Sequence, residues 1–282
     1  MANRIAFTFD LEDHRPSGAT WGPRYRAITA ELLDWMDARA ITATVFVVGS
    51  LALEDPGLVR DVAARGHEVG LHNWHHTQLT RQTPDGFRDG VRRGRAVLED
   101  LLGAPVIGFR APTGSLVPAT AWAVDVLLEE GYAYSSSVVP GHNPLNGFPG
   151  APNRPFTYRN GLAEFPAPMA GIGPAQLPYL GGTYLRLLPG PALRLLRALE
   201  PPADGAVLYC HPYDFDPGEP FWWVDDVGPL SPLLWLGRRS LRAKLERLVA
   251  DGTTPPLRDR LVDAAIGPVF DPFAPAPGRA AA

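Results

Sequence analysis

The sequence contains one cysteine, no long apolar run and little net charge, and each absence argues against a class of protein. A single cysteine, Cys210, cannot form an intramolecular disulfide, which excludes a disulfide-rich fold. No apolar stretch reaches the roughly 18 residues that a membrane-spanning helix needs, and only a few residues precede the first apolar run. We therefore expect no signal peptide, no membrane span and a cytoplasmic protein. The net charge of −4 predicts no surface for nucleic acid.

The remaining composition favours one large α/β domain. The chain has 282 residues, of which 45% are hydrophobic, and α/β barrels often use this length as a single domain. Apolar runs typical of buried strands alternate with segments of helical periodicity, and this alternation predicts parallel strands joined by right-handed crossovers. We expect a domain over 1–271 and a disordered tail over 272–282. The predicted strands cover 5–9, 43–48, 67–71, 106–109, 132–137 and 206–210, and the predicted helices cover 25–40, 54–65, 83–102, 120–130, 189–199 and 236–249.

Two features qualify this regular pattern. Proline and glycine are concentrated between residues 138 and 182, where we expect a functional loop or irregular strands. Polar residues follow four separate apolar runs, namely Asp10, His72, Arg110 and His211. Because active sites of α/β barrels gather at the carboxyl ends of the strands, the sequence predicts that these four residues share one site.

Two histidines four residues apart predict a metal pair. His72 and His76 lie in GHEVGLHNWHHT. If this segment forms a helical turn, positions i and i+4 share one face, with Cβ atoms about 5–6 Å apart. Two imidazoles at that spacing could bind one metal ion at about 2.0–2.1 Å each. His75 points elsewhere on such a turn and is expected to be a bystander.

An acidic cluster near the N-terminus could complete a hydrolytic site. Asp10, Glu12 and Asp13 offer a third metal ligand, which would leave a coordination position open for water, and a second carboxylate that could act as a general base. Arg110 could keep that base ionised and oriented. His211 could protonate the leaving group of an amide. An ordinary core histidine is an equally good interpretation of His211 from the pattern alone.

Four motifs resemble those of the polysaccharide deacetylases of carbohydrate esterase family four. They are FTFDLEDH, HNWHH, GFRAP and LYCH, and the likeness covers about residues 4–250. The subgroup with D-x-E-D and HP-[YW]-[DE] motifs is most similar. The segments GGTYLRLLP and LGRRSLRAKLERL also resemble that subgroup. The resemblance implies a distorted (β/α)7 barrel.

The resemblance also implies roles for individual residues. Asp10 would be the catalytic base, oriented by Arg110. His72 and His76 would bind metal together with an acid that follows the base. The family usually has adjacent aspartates, and here Asp13 matches that residue type, whereas Glu12 suits subgroups spaced Asp-x-Asp. We expect Asp13 to be the ligand, with Glu12 as the alternative.

The late histidine carries a second departure from the family pattern. The resemblance implies that His211 is the general acid. Ser135 stands where relatives often have an aspartate that tunes this histidine. Asp214 could substitute for that aspartate.

The site residues and the resemblance together imply a metal-dependent hydrolase that removes an N-acetyl or other acyl group from an amino sugar or glycan intermediate. Zn²⁺ is the expected metal because two imidazoles and a carboxylate suit it, and Co²⁺, Mn²⁺ or Ni²⁺ fit the same ligands. One alternative is a hydrolase of cyclic imides or ureides such as allantoin, on the same scaffold. Another is a non-catalytic carbohydrate-binding protein. The sequence leaves open whether the protein forms a homo-oligomer.

Overall fold

A computed structural model describes residues 4–141, 146–172, 175–199, 205–224 and 227–274. Most of the predicted tail, residues 275–282, lies outside the described residues, and the division into a domain over 1–271 and a tail stays a prediction. Within the described ranges, no helix is both long and apolar enough to cross a membrane.

Short strands and helices alternate along most of the chain. The described strands are β1 (Ile5–Leu11), β2 (Thr44–Val47), β3 (Glu68–Leu71), β4 (Gly108–Phe109), β5 (Tyr134–Ser135), β6 (Phe156–Tyr158), β7 (Ala163–Glu164), β8 (Ala170–Ile172), β9 (Ala175–Leu177), β10 (Ala206–Cys210) and β11 (Val269–Phe270). The described helices are α1 (Tyr25–Asp37), α2 (Gly49–Glu54), α3 (Pro56–Ala64), α4 (Pro84–Leu102), α5 (Ala123–Glu129), α6 (Gly182–Leu187), α7 (Gly190–Leu199), α8 (Arg238–Leu248) and α9 (Leu261–Ala265).

The main sheet has the order β10-β1-β2-β3-β4-β5-β7-β6-β11, while β8 and β9 form a separate antiparallel pair. Within the main sheet every recorded pairing is parallel except that of β6 with β7. The curled parallel sheet confirms the expected α/β fold of barrel type. All seven residues of β1 are buried, as expected for a strand covered on both faces.

The helix boundaries follow local capping chemistry. At the start of α4 the Thr83 hydroxyl accepts a hydrogen bond from the Gly86 amide at 3.2 Å, and Gly103 ends the helix with a φ of 64°. Helix α3 begins at Pro56 because Asp55 caps it. The sequence did not predict α2, since a six-residue helix is too short to show periodicity. Strands β6 to β9 occupy the segment predicted as a loop or irregular strands.

Candidate active site

The carboxyl ends of four strands bring the predicted polar residues together. Asp10 lies near the end of β1, and His72, Arg110 and His211 directly follow β3, β4 and β10. One oxygen of Asp10, Oδ1, lies 2.7 Å from Arg110 Nη1. The other, Oδ2, lies 3.9 Å from His72 Nε2 and 3.6 Å from His211 Nε2. The four residues therefore share one site, as the sequence predicted.

The histidine pair lies on a loop, so the helical turn that the i, i+4 spacing suggested does not form. The chain after β3 is irregular, and Asn73 and His76 have φ values of 59° and 57°. The side chain of Asn73 donates to the Thr77 carbonyl at 2.8 Å, which closes the loop on itself. The two left-handed residues fold the loop back, so that the rings of His72 and His76 still meet, with centroids 4.9 Å apart.

Glu12 joins these two histidines in a group that could hold a metal ion. One ligand atom from each of the three residues lies within 4.8 Å of the others. Glu12 Oε2 is 2.6 Å from His76 Nε2 and 3.7 Å from His72 Nε2. The Arg110 carbonyl can only accept a hydrogen bond, so His72 donates to it from Nδ1 at 2.9 Å and presents the lone pair of Nε2 to the group. His75 is exposed and lies outside the group.

The donor set and its burial fit a divalent cation. Glu12 is 6% exposed, and its Oε2 has no hydrogen bond of acceptable geometry among the described residues. A buried carboxylate is costly unless a positive charge faces it, and a divalent ion between Glu12 and the two imidazoles would supply one. Two imidazoles and one carboxylate are also a typical three-ligand set that keeps a fourth position open.

Asp13 does not join this group, and the expectation that it would supply the acidic ligand is corrected. Its carboxylate is bound by its neighbour Arg15, whose Nη2 lies 2.6 Å from Oδ2 and whose Nε lies 3.0 Å from Oδ1. This ion pair neutralises Asp13 away from the histidines. Glu12, the alternative that the sequence left open, occupies the position beside them.

The guanidinium of Arg110 is held from several directions. Nη1 donates to Asp10 and to the Thr8 hydroxyl, both at 2.7 Å. Nε donates to the Ser136 carbonyl at 2.9 Å and Nη2 to the Ser136 hydroxyl at 2.8 Å. The group also lies 4.2 Å from the centre of the Phe46 ring. Arg110 therefore fixes one oxygen of Asp10 and leaves the other facing the histidines.

His211 is oriented by Asp214 and, through it, by Arg186. His211 Nδ1 lies 2.9 Å from Asp214 Oδ2, and Asp214 Oδ1 lies 2.6 Å from Arg186 Nε. The side chains of Asp214 and Arg186 are fully buried. Asp214 thus lies beside His211 in the place of the family's aspartate. The Ser135 hydroxyl instead donates a hydrogen bond to the Ser137 hydroxyl. Sequence reasoning missed Arg186, although an arginine within the apolar run 184–188 was a signal.

The environment gives His72, His211 and Glu12 different protonation states. Burial lowers the pKa of His72 to about 4, so its imidazole is neutral. For His211 burial acts in the same direction, but the hydrogen bond and charge of Asp214 outweigh it and raise the pKa to about 9. Burial would raise the pKa of Glu12, yet His76 outweighs burial and holds that pKa well below its usual range. The site thus contains a neutral imidazole, an ionised carboxylate and a protonated acid.

Two families of known proteins match the two halves of the chain. Residues 2–134 match the family described as polysaccharide deacetylase, and residues 136–258 match one described as a domain of unknown function, DUF3473. Peptidoglycan-N-acetylglucosamine deacetylase PgdA of Listeria monocytogenes is 31% identical over 131 residues, which are 43% of this chain and 26% of that protein. The chain therefore matches only about a quarter of that relative's length.

Two solved structures share the fold over nearly the whole chain. One, from Mycobacterium smegmatis and described as a polysaccharide deacetylase, has a TM-score of 0.63 and 20% identity, and the match covers 93% of this chain and 89% of that one. The other, the PuuE allantoinase, has a TM-score of 0.59 and 16% identity, with 92% and 89% covered. The first matched region contains Asp10, His72 and Arg110, and the DUF3473 region contains His211. Residues 2–134 therefore match the polysaccharide deacetylase family, and the DUF3473 region that follows contributes the His211 side of the candidate site.

Proposed function

We propose that this chain is a metal-dependent deacetylase that removes an N-acetyl group from an amino sugar of a glycan. One observation carries the proposal. Asp10 Oδ2 faces His72 of the candidate metal group at 3.9 Å and His211 at 3.6 Å. Amide hydrolysis by this mechanism needs a carboxylate, a metal site and a protonated histidine around one point. The name of the Listeria relative supports an N-acetylated amino sugar as substrate.

Glu12, His72 and His76 would hold the metal ion, and Zn²⁺ fits this donor set best. When bound, a divalent ion would lower the pKa of water and polarise the acyl oxygen. His72 is prepared for this role because burial keeps it neutral and the Arg110 carbonyl fixes its tautomer.

Asp10 would accept the proton of the attacking water. Its Oδ1 is held by Arg110 at 2.7 Å, so Oδ2 is the oxygen that faces the reacting groups. The ion pair with the guanidinium holds the carboxylate in place, as a general base requires. It also fixes the direction in which the base points.

His211 would donate a proton from Nε2 to the amide nitrogen. An amine leaves only when it is protonated, and His211 is in its acidic form at neutral pH because Asp214 raises its pKa to about 9. Asp214 also binds Nδ1, which orients Nε2 toward the site. Once the amine has left, His211 is ready to be reprotonated.

Release of acetate from N-acetylglucosamine oligomers tests the proposal. We expect activity that is lost with a chelator and restored by Zn²⁺ or Co²⁺, with metal content followed by elemental analysis. Asp10→Asn should reduce kcat by about 10²–10⁴-fold while the protein stays folded. Unchanged turnover after complete metal removal would refute the metal-dependent mechanism. Turnover of allantoin in place of the acetylated sugars would favour the ureide hydrolase, and saccharide binding without turnover of either substrate would favour the binding protein.

A further inference from the structure

A continuous series of rings leads from His211 to the protein surface. We call it the aromatic strip, and it consists of Tyr213, His14, Trp235, Phe221 and Trp223. His211 stacks on Tyr213 with centroids 4.6 Å apart and planes 9° apart. The successive centroid distances along the strip are 4.2 Å from Tyr213 to His14, 5.7 Å from His14 to Trp235, 4.8 Å from Trp235 to Phe221 and 6.3 Å from Phe221 to Trp223.

The outer end of the strip is open to solvent. Phe221 is 55% exposed and Trp223 is 53% exposed. Neighbouring exposed aromatic side chains of this size mark an interaction site more often than single exposed apolar residues do. Charged groups border the rings, since Glu219 lies 3.3 Å from His14 and Arg238 lies 5.0 Å from the centre of the Trp235 ring. These two charged groups are buried and pair with each other at 2.8 Å, so the surface of the strip is formed by the exposed rings of Phe221 and Trp223.

The chemistry of the proposed reaction says which part of the substrate lies here. His211 donates its proton to the amide nitrogen, which stays with the sugar, whereas the acetyl group faces Asp10 and the metal group. The sugar therefore lies on the His211 side of the site, where the strip begins. We propose that the aromatic strip binds further saccharide units of a glycan, stacking their apolar faces on Trp223 and Phe221. This inference rests on the proposed function.

A buried guanidinium holds the strip in a fixed position relative to the acid. Arg186 Nη1 donates to the carbonyls of Leu234 and Leu236, on either side of Trp235, at 2.9 and 2.7 Å. The same guanidinium pairs through Nε with Asp214, the partner of His211. Because one buried side chain fixes both elements, a sugar stacked on the strip would have a defined position relative to the acid.

Saccharide binding in the Asp10→Asn background tests the proposal without turnover. The probes are N-acetylglucosamine and its hexamer, followed by calorimetry and by tryptophan fluorescence. We expect the double variant Phe221→Ala/Trp223→Ala to bind the hexamer about tenfold more weakly, since stacking of each ring contributes modestly. It would thereby lose most of the preference for hexamer over monomer. Phe273→Ala is the matched control. Phe273 is exposed to a similar extent, 61%, but it lines a pocket with Asp271 and Pro272 that includes no ring of the strip.

Each other outcome separates the two proposals or overturns this one. Hexamer binding that is unchanged in the double variant overturns the strip as a saccharide site, and so does an equal loss of hexamer and monomer affinity. If the parent is a dimer and the double variant is a monomer, the strip is a self-association surface instead. If the parent binds vesicles and the double variant does not, it is a membrane surface. A parent that hydrolyses monomer and hexamer equally well keeps the proposed function and overturns the strip. A parent that binds the hexamer through the strip without hydrolysing any saccharide keeps the strip and overturns the function.

Discussion

Replacing Asp214 with asparagine removes the charge that keeps His211 protonated. Asp214 Oδ2 lies 2.9 Å from His211 Nδ1, and Asp214 Oδ1 pairs with Arg186. Asparagine has nearly the same shape and can still hydrogen-bond, so the variant changes charge more than geometry. The raised pKa of His211 should then fall to its ordinary value or below, because burial alone lowers it.

The size of the effect follows from the pKa of His211. Its rise from 6.5 to about 9 corresponds to about 3 kcal/mol in favour of the imidazolium. The general acid works only when protonated, so activity falls as the pH rises through this pKa. With a pKa near 6.5, about a tenth of His211 would stay protonated at pH 7.5. We therefore expect the alkaline limb of the rate profile to move from about pH 9 to about pH 6.5 or lower.

The assay is the pH dependence of kcat/KM for acetate release, with the imidazole titrated by NMR in the metal-free protein. Asp216→Asn is the matched control, because Asp216 lies two residues away and pairs with Arg24. An alkaline limb that stays near pH 9 in Asp214→Asn, with normal folding, would refute the assignment of Asp214 as the group that tunes His211.

The same pair makes a stability prediction that does not depend on turnover. A folded-state pKa above the unfolded value stabilises the protein fully below pH 6.5, and that stabilisation is lost as the pH rises through about 9. Between these values we expect the free energy of unfolding of the metal-free parent to fall by up to about 3 kcal/mol more than that of Asp214→Asn. Denaturant unfolding at several pH values measures the difference, and parallel curves for the two proteins would contradict it.

Three further predictions test other parts of the site. Glu12→Gln should lower the metal content and Asp13→Asn should not, because Glu12 lies beside the histidines and Asp13 is bound to Arg15. Elemental analysis after dialysis measures the metal content. The reverse result would restore Asp13 as the ligand. Arg110→Lys should lower kcat by about a hundredfold and also lower the melting temperature, since lysine cannot contact Asp10 and the other buried partners of the guanidinium together. A wild-type kcat would contradict this. Gly182→Ala should destabilise the protein by roughly 1–3 kcal/mol in denaturant unfolding, because a Cβ atom there would lie 2.1 Å from an oxygen of the buried Asp214. An unchanged denaturation midpoint would show that Asp214 can move.

Much of the fold could be predicted because buried parallel strands leave continuous apolar runs. The strand predicted over 206–210 matches β10, and β1 begins at Ile5 as expected. The short elements α2, α6 and α9 left no periodic signal, since five or six residues are too few to show one. Tertiary contacts and not local pattern decide where such short elements form.

The acid side of the site was harder to predict than the base side. Asp10 lies near the end of a strand, and His72 and Arg110 directly follow one; such positions can be read from the apolar pattern. Arg186 lies in a short helix, and its contact with Asp214 joins residues far apart in sequence. Its apolar neighbours indicate burial, but they do not identify Asp214 as its partner, so that role could be found only from the structure.

The choice between Glu12 and Asp13 could have been made from strand geometry. Successive side chains of a strand point to opposite sides, so every second residue shares a face. In β1 the odd positions Phe7, Phe9 and Leu11 belong to the main hydrophobic core, and on the even positions Thr8 and Asp10 bind Arg110. Continued one residue past the strand, the alternation places Glu12 on the Arg110 side and Asp13 on the opposite side. Residue type favours Asp13, but the two-residue period of the strand selects Glu12. Glu12 is the acid that lies beside the two histidines.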